Sequence, residues 1–293
     1  MHPEKNSIVF VDDDSSLRAS LRRLLHRFRA DWQMEFCSSG EETIRHLEQN
    51  HVDVVVSDIR MPNMDGTELM RAVAQNHPDV IRFILSGQAE KETILKLVDD
   101  VHQYFAKPCK PSKLFDAVST IMTKRQKINC TEIANQLTSI GSIPIASQSY
   151  EELQVELERT EPDMNQIIRA VRSDVGLGMK VLKLVSTSFF GAPQPGCDIS
   201  LACRTLGIDL LRSVLLKAPT AESTHSQRQE AATQTCELYQ RLTDGWQVLQ
   251  HWEDLAKEAD DNTTAALDYL ASLWGVHDSS VHGPSEQNKT SQY

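Results

Sequence analysis

Apolar and polar positions in the first 125 residues follow two alternating periods. Continuously apolar runs at 8–11, 52–56 and 80–85 predict strands buried on both faces, because a strand covered on one face only would alternate. Residues 34–37 do alternate and predict a half-covered strand, and 103–106 predict a fifth. Between these runs, apolar residues recur at helical spacing. Leu17, Leu21, Leu24, Leu25 and Phe28 share one face; Ile44 and Leu47 follow Ser39 and Glu42, which are spaced as a capping box. Residues 66–76 and 90–98 continue the pattern. Pro111 then suits the first turn of a last helix whose buried stripe is Leu114, Phe115, Val118, Ile121 and Met122. Five strand–helix units in a row predict an α/β fold with a five-stranded, parallel, doubly wound sheet.

The pattern changes after the basic run Lys124-Arg125-Gln126-Lys127, which reads as a linker. No period-two segment follows. Helical segments are expected from Ile133 and Leu137, from Tyr150 to Leu157, at 162–171, 178–185, 199–206 and 210–216, giving an all-α domain over 126–220. In the stretch 221–278, Tyr239, Leu242, Trp246, Leu249, Trp252 and Leu255 describe one amphipathic helix. Ala266, Leu270, Leu273 and Trp274 describe another, with Gly275 as its C-cap. These helices are expected to dock on the core of the helical domain, or else to offer a partner or homodimer surface, since large aromatics anchor interfaces. Residues 279–293 are polar, lack periodicity and read as disordered.

Composition narrows the function. A chain of 293 residues with 40% hydrophobic and 24% charged residues has the balance of a soluble two-domain protein. The N-terminus runs straight into the first strand without a basic-then-apolar segment, and no apolar run is long enough for a membrane span, so a cytoplasmic protein is expected. The six cysteines form no Cys-x-x-Cys pair and read as structural thiols. A net charge of −11 argues against nucleic acid as a partner. Gly207 could mark a helix-turn-helix, but the segment after it is too apolar for a recognition helix.

The strand ends carry the chemistry. Asp12 and Asp13 follow the first strand, Asp58 ends the third, Ser86 the fourth and Lys107 the fifth. Sites in doubly wound sheets sit at the carboxyl ends of the strands, so three carboxylates, a hydroxyl and an ammonium converge. Oxygen ligands at a shallow site suit Mg²⁺, with Asp13 and Asp58 as ligands and Asp12 as a ligand or a carboxylate just behind. Phosphoryl transfer depends mainly on charge neutralisation, which Lys107 and the cation would supply. Asp58 is the nucleophile, and Ser86 can donate to a phosphoryl oxygen. Each residue alone has a plainer reading: an Asp cluster at a helix N-terminus, a Lys-Pro turn, a sheet-edge Tyr104. The set is what departs from them.

Val11-Asp12-Asp13, Val56-Ser57-Asp58, Met61-Pro62-Asn63-Met64-Asp65-Gly66, Leu85-Ser86-Gly87 and Ala106-Lys107-Pro108 together resemble the receiver domain of bacterial response regulators. The resemblance implies a flavodoxin-like domain over 1–125, the same residue roles, and a cis bond between Lys107 and Pro108. It also implies that Tyr104 is a rotating aromatic, free to move inward when Ser86 is drawn toward a phosphoryl group. The implied donor is a histidine kinase or a histidine phosphotransfer protein.

In the second half, Ser142-Ile143-Pro144, residues 173–177, residues 184–191 and Ala202 to Gly207 with Leu211-Arg212 resemble the HDOD domain, a non-catalytic relative of HD-type metal phosphohydrolases. Ser186-Thr187 stands where that family has Asn-Ser, and the resemblance fades after Pro219, so a truncated HDOD-like domain is expected. HD hydrolases need histidines and aspartates converging on a metal. The His277-Asp278 dipeptide lies in the tail, and no Gly-Tyr-Pro motif exists. The expected function is a non-enzymatic, phosphorylation-responsive regulator acting on a downstream signalling protein. The rival expectations are a degenerate HD-type phosphodiesterase and a phosphate sink whose helical half is purely structural.

Overall fold

The computed structural model describes residues 5–28, 32–87, 91–128, 131–139, 145, 147–185, 199–216 and 261–275. Expectations at 89–90, 142–144, 186–198, 217–260 and 276–293, and those for Cys130, Cys197 and Cys236, lie outside these residues.

Five parallel strands, β1 Asn6–Val11, β2 Trp32–Cys37, β3 Val54–Asp58, β4 Ile81–Ser86 and β5 Gln103–Ala106, stand in the order β2-β1-β3-β4-β5. Val54, Val55, Ile81, Phe83 and Ile84 are wholly buried, as strands covered on both faces must be. The crossovers are α1 Ser15–Leu25, α2 Gly40–Gln49, α3 Gly66–Asn76 and α4 Lys91–Lys96, and α5 Pro111–Gln126 follows the last strand. The connections leaving β1 and β3 run to opposite ends of the sheet, which opens a crevice between their carboxyl ends.

Helix starts follow local chemistry. Asp65 and Glu68 close a full capping box on α3, with Glu68 N–H donating to Asp65 Oδ1 at 2.9 Å. The box expected on α2 is half made. Ser39 Oγ accepts from Glu42 N–H at 3.2 Å, but the Glu42 carboxylate turns to the Ser38 amide and hydroxyl, each at 2.6 Å.

Three expectations are corrected. The α1 stripe is only partly covered: Leu25 is buried, whereas Leu17 and Leu24 are 45% and 54% exposed. Phe28 stacks on Phe115 with centroids 4.0 Å apart, both against Trp32, so this aromatic wedge anchors the helix at its C-terminal end instead. The basic run is not a linker. Lys124 and Arg125 form the last turn of α5, where cations favour the carboxyl end of a helix, and Arg125 Nη2 donates to Asn135 Oδ1 at 2.6 Å.

The third correction concerns the C-terminus. Six helices make up the described helical half: α6 Thr131–Ser139, α7 Ser147–Leu157, α8 Met164–Ser173, α9 Val175–Val185, α10 Ile199–Leu215 and α11 Asp261–Leu273. Helices α7 to α10 pack on one another, and α10 breaks at Gly207, whose φ of 76° a side chain would strain. Leu211, Val214 and Leu215 beyond that break are buried. Helix α11 docks elsewhere than expected. It lies on α5 and α6, burying Tyr269, Leu270, Leu273 and Trp274 against the sheet half, and the chain turns out at Gly275 with φ 69°.

Candidate functional site

The crevice between β1 and β3 gathers four of the residues singled out from the sequence, Asp12, Asp13, Asp58 and Lys107. Ligand oxygens of Asp12, Asp13 and Asp58 lie within 4.8 Å of one another. The Lys107 ammonium is 2.9 Å from Asp58 Oδ2 and 3.2 Å from Asp12 Oδ2. Asp12 is buried, Asp58 half-buried and Asp13 exposed at the rim. An open pocket of about 520 Å³ leads in past Asp13, Arg60, Met61, Pro62, Asp65 and Thr93.

Local backbone fixes each group. Asp12 Oδ1 accepts from the Asp14 amide at 2.9 Å, and Asp14 in turn caps α1, so the acidic run is held by the start of that helix. Asp58 Oδ1 accepts from the Ile59 amide at 2.8 Å, leaving Oδ2 for Lys107. Gly66 N–H donates to Ile59 O at 2.8 Å, folding the loop after Asp58 back on itself through Asn63, which has φ 65°. The Lys107–Pro108 bond is cis. Ser86 is buried, with its hydroxyl donating to Gly87 O at 3.1 Å. Tyr104 is buried too, and its hydroxyl reaches Ile94 O on α4 at 3.4 Å.

Burial, opposed by the hydrogen bond and charge of Lys107, pushes the Asp58 carboxyl above the usual aspartate range. Burial would lower the Lys107 ammonium, but the hydrogen bond and charge of Asp58, then Asp12, outweigh it and raise its pKa. The ammonium is therefore charged at neutral pH, while the carboxyl still feels its desolvation. A divalent cation fits this donor set: three hard carboxylate oxygens at a solvent-open rim, the arrangement Mg²⁺ takes with retained waters.

Some contributors escaped the sequence. Arg18 Nη1 donates to the Asp12 carbonyl at 2.5 Å and ties the acidic loop to α1; its only signal was its place one turn into the helix. The charged cluster where the two halves meet was also missed. Lys180 and Lys183 are buried against Asp99 and Val98 at the end of α4, and the signal was two lysines at i, i+3 within an otherwise apolar helix.

Two protein families match this chain. The family described as response regulator receiver domain matches residues 8–119, the stretch that contributes every residue of the crevice. The HDOD domain family matches residues 143–245. The chain thus matches a receiver-domain family followed by an HDOD-domain family. The hydrogenase transcriptional regulatory protein HoxA of Cupriavidus necator is 30% identical over 120 residues, 40% of this chain and 24% of that protein. Response regulator UvrY of Escherichia coli is 27% identical over 203 residues, 67% of this chain and 91% of that protein. Among solved structures, the signal receiver domain of an HD domain-containing protein from Pseudomonas fluorescens is 24% identical. It covers 40% of this chain and 93% of that chain, with a TM-score of 0.38. No helix among the described residues is long and apolar enough to cross a membrane.

Proposed function

We propose that Asp58 accepts a phosphoryl group from a histidine kinase or a histidine phosphotransfer protein, and that this event changes which surfaces the helical half offers to a downstream signalling protein. The observation that carries the reading is the Lys107 ammonium lying between Asp58 and Asp12, with Asp13 alongside. An Asp58 carboxylate oxygen attacks phosphorus as the bond from phosphorus to the donor histidine nitrogen breaks, and that imidazole leaves neutral. Lys107 balances charge on the transferred oxygens, and Ser86 turns from Gly87 O to donate to one of them. Mg²⁺ held by Asp12, Asp13 and Asp58 would neutralise the remaining charge.

On this reading the chain is a cytoplasmic regulator, not an enzyme. The receiver spans 1–125, the front of the HDOD-like domain 126–220, the C-terminal helices 221–278 and the tail 279–293. Its net charge of −11 makes nucleic acid a poor partner, although HoxA is by name a transcriptional regulator. Because α11 is already buried on α5 and α6, a homodimer would use the sequence stripe Tyr239, Trp246 and Trp252 instead. The test is intact mass measurement after incubation with acetyl phosphate and Mg²⁺. The chain should gain one phosphoryl group at Asp58 and Asp58→Asn should gain none; an unmodified Asp58 would overturn the proposal.

A further inference from the structure

Two of the side chains that join the halves can gain or lose a proton, and both are buried. His102 Nδ1 accepts from the Arg82 amide at 2.9 Å, so its Nε2–H donates to Thr138 O on α6, also at 2.9 Å. The neutral ring thus uses both nitrogens, and a second proton on Nδ1 would meet the Arg82 N–H head-on. Lys183 on α9 donates to Val98 O, a carbonyl to which a neutral amine can also donate.

The charges around this pair are weighted toward cations. Arg82 on β4 is buried with its guanidinium on backbone carbonyls, Asp100 O at 2.6 Å, Val80 O at 2.7 Å and Pro78 O at 3.2 Å. A permanent charge so placed opposes a proton on His102 or Lys183. Lys180 on α9 is buried as well and takes Asp99 as its partner. Asp100 is shared with Arg71 of α3 at 3.4 Å, and Asp79 acts on Arg82 from the turn before β4. Helices α6 and α11 bring the uncharged Thr138 and Tyr269.

We infer that the junction between the two halves is a proton-sensitive joint, closed while His102 and Lys183 are uncharged and loosened as the pH falls. The inference stands apart from the reading of Asp58. Opening the joint returns both side chains to water. In the closed chain, burial outweighs Asp99 and lowers the Lys183 pKa from 10.5 to about 7, with Lys180 and Arg82 adding to the fall and Asp100 opposing it. Burial, then Arg82 and Lys183, hold His102 well below 6.5. The open state therefore binds one more proton at Lys183 between about pH 7 and 10.5, and one more at His102 below about 6.5. In both windows opening takes up a proton, so acidification favours it.

The experiment follows amide exchange of the full chain between pH 6 and 9, each rate divided by that of an unstructured peptide at the same pH. Residues 97–103 and 175–185 report the joint, and β3 reports the buried sheet. In the wild type the opening constant at the joint should fall about 5- to 10-fold per pH unit between pH 7 and 9, the slope of one proton. Lys183→Met cannot take up that proton and should stay closed, with no slope in this window. Lys183→Arg keeps its charge and should stay open, also without slope. His102→Gln supplies one acceptor and one donor without titrating, so it should keep the slope above pH 7 and lose the rise in opening below 6.5. A wild-type joint whose opening ignores pH overturns the inference, as does a slope above pH 7 that survives in Lys183→Met. Strand β3 should stay far better protected than the joint at every pH. Equal protection in the two would mean that only whole-chain unfolding is seen, and would overturn the inference too. Should a Lys183 variant fail to fold, which β3 reveals, the wild-type slope and His102→Gln still decide.

Discussion

Gly66 lies directly against the backbone of Asp58: a Cβ added at position 66 would sit 2.1 Å from the Asp58 carbonyl oxygen and 2.8 Å from Ile59 Cα. Backbone cannot yield as a side-chain tip can. Gly66→Ala should therefore push the end of β3 and its carboxylate out of place, at an overpacking cost of about 1–3 kcal/mol. Urea unfolding measures the cost, and phosphorylation by acetyl phosphate should fall by more than stability alone explains.

The Asp58 carboxyl stands above the usual aspartate range because burial outweighs the help from Lys107. Phosphoryl acceptance needs the carboxylate, so it should fail on acidification at a higher pH than the ~3.9 of a free aspartate. Lys107→Met removes the hydrogen bond and the charge that oppose burial. Its midpoint should move up further. The pH profile of the phosphorylation rate, or the carboxyl carbon shift by NMR, reads both midpoints.

His102 is wholly buried and neutral, its pKa held well below the usual 6.5 by burial and then by Arg82 and Lys183. An unfolded histidine binds a proton below about pH 6.5 while the folded one does not, so acidification favours the unfolded chain. Stability should fall by up to about 1.4 kcal/mol per pH unit below that point. Unfolding at pH 7 and pH 5 should show this slope in the wild type and lose it in His102→Gln.

Thr138 already gives its hydroxyl proton to Ala134 O at 2.8 Å, so Tyr269 must be the donor in their 2.6 Å contact. Tyr269→Phe should cost about 1 kcal/mol, the net worth of one buried hydrogen bond. Faster amide exchange over 261–275, with the sheet half unchanged, is the expected signature.

How much of this was legible depends on how local the cause is. Helices α3 and α5 begin where the sequence predicts, at Gly66 after Asp65 and at Pro111, because caps and proline act through adjacent backbone. The convergence of Asp12, Asp13, Asp58, Ser86 and Lys107 was legible because strand ends in a doubly wound sheet share one edge. Leu17 and Leu24 misled, since periodicity reveals an apolar face but not whether a neighbour covers it. Lys124 and Arg125 misled likewise: a polar run at the end of a helix and a linker have the same composition. The target of α11 was hidden for the same reason. Its apolar stripe demands burial, and nothing within residues 261–275 names α5 as the surface that supplies it.

The hydrogen bond from Gln103 to Ser272 joins positions 169 apart in the chain. Contacts of such long sequence separation form late, after the loop they close has lost its freedom. During synthesis the α/β half is complete well before residue 272 emerges from the ribosome, and the part of its β5 flank that α11 covers stands bare in that interval. A newborn chain should thus be most prone to sticking to its neighbours after its α/β half has folded and before α11 has arrived.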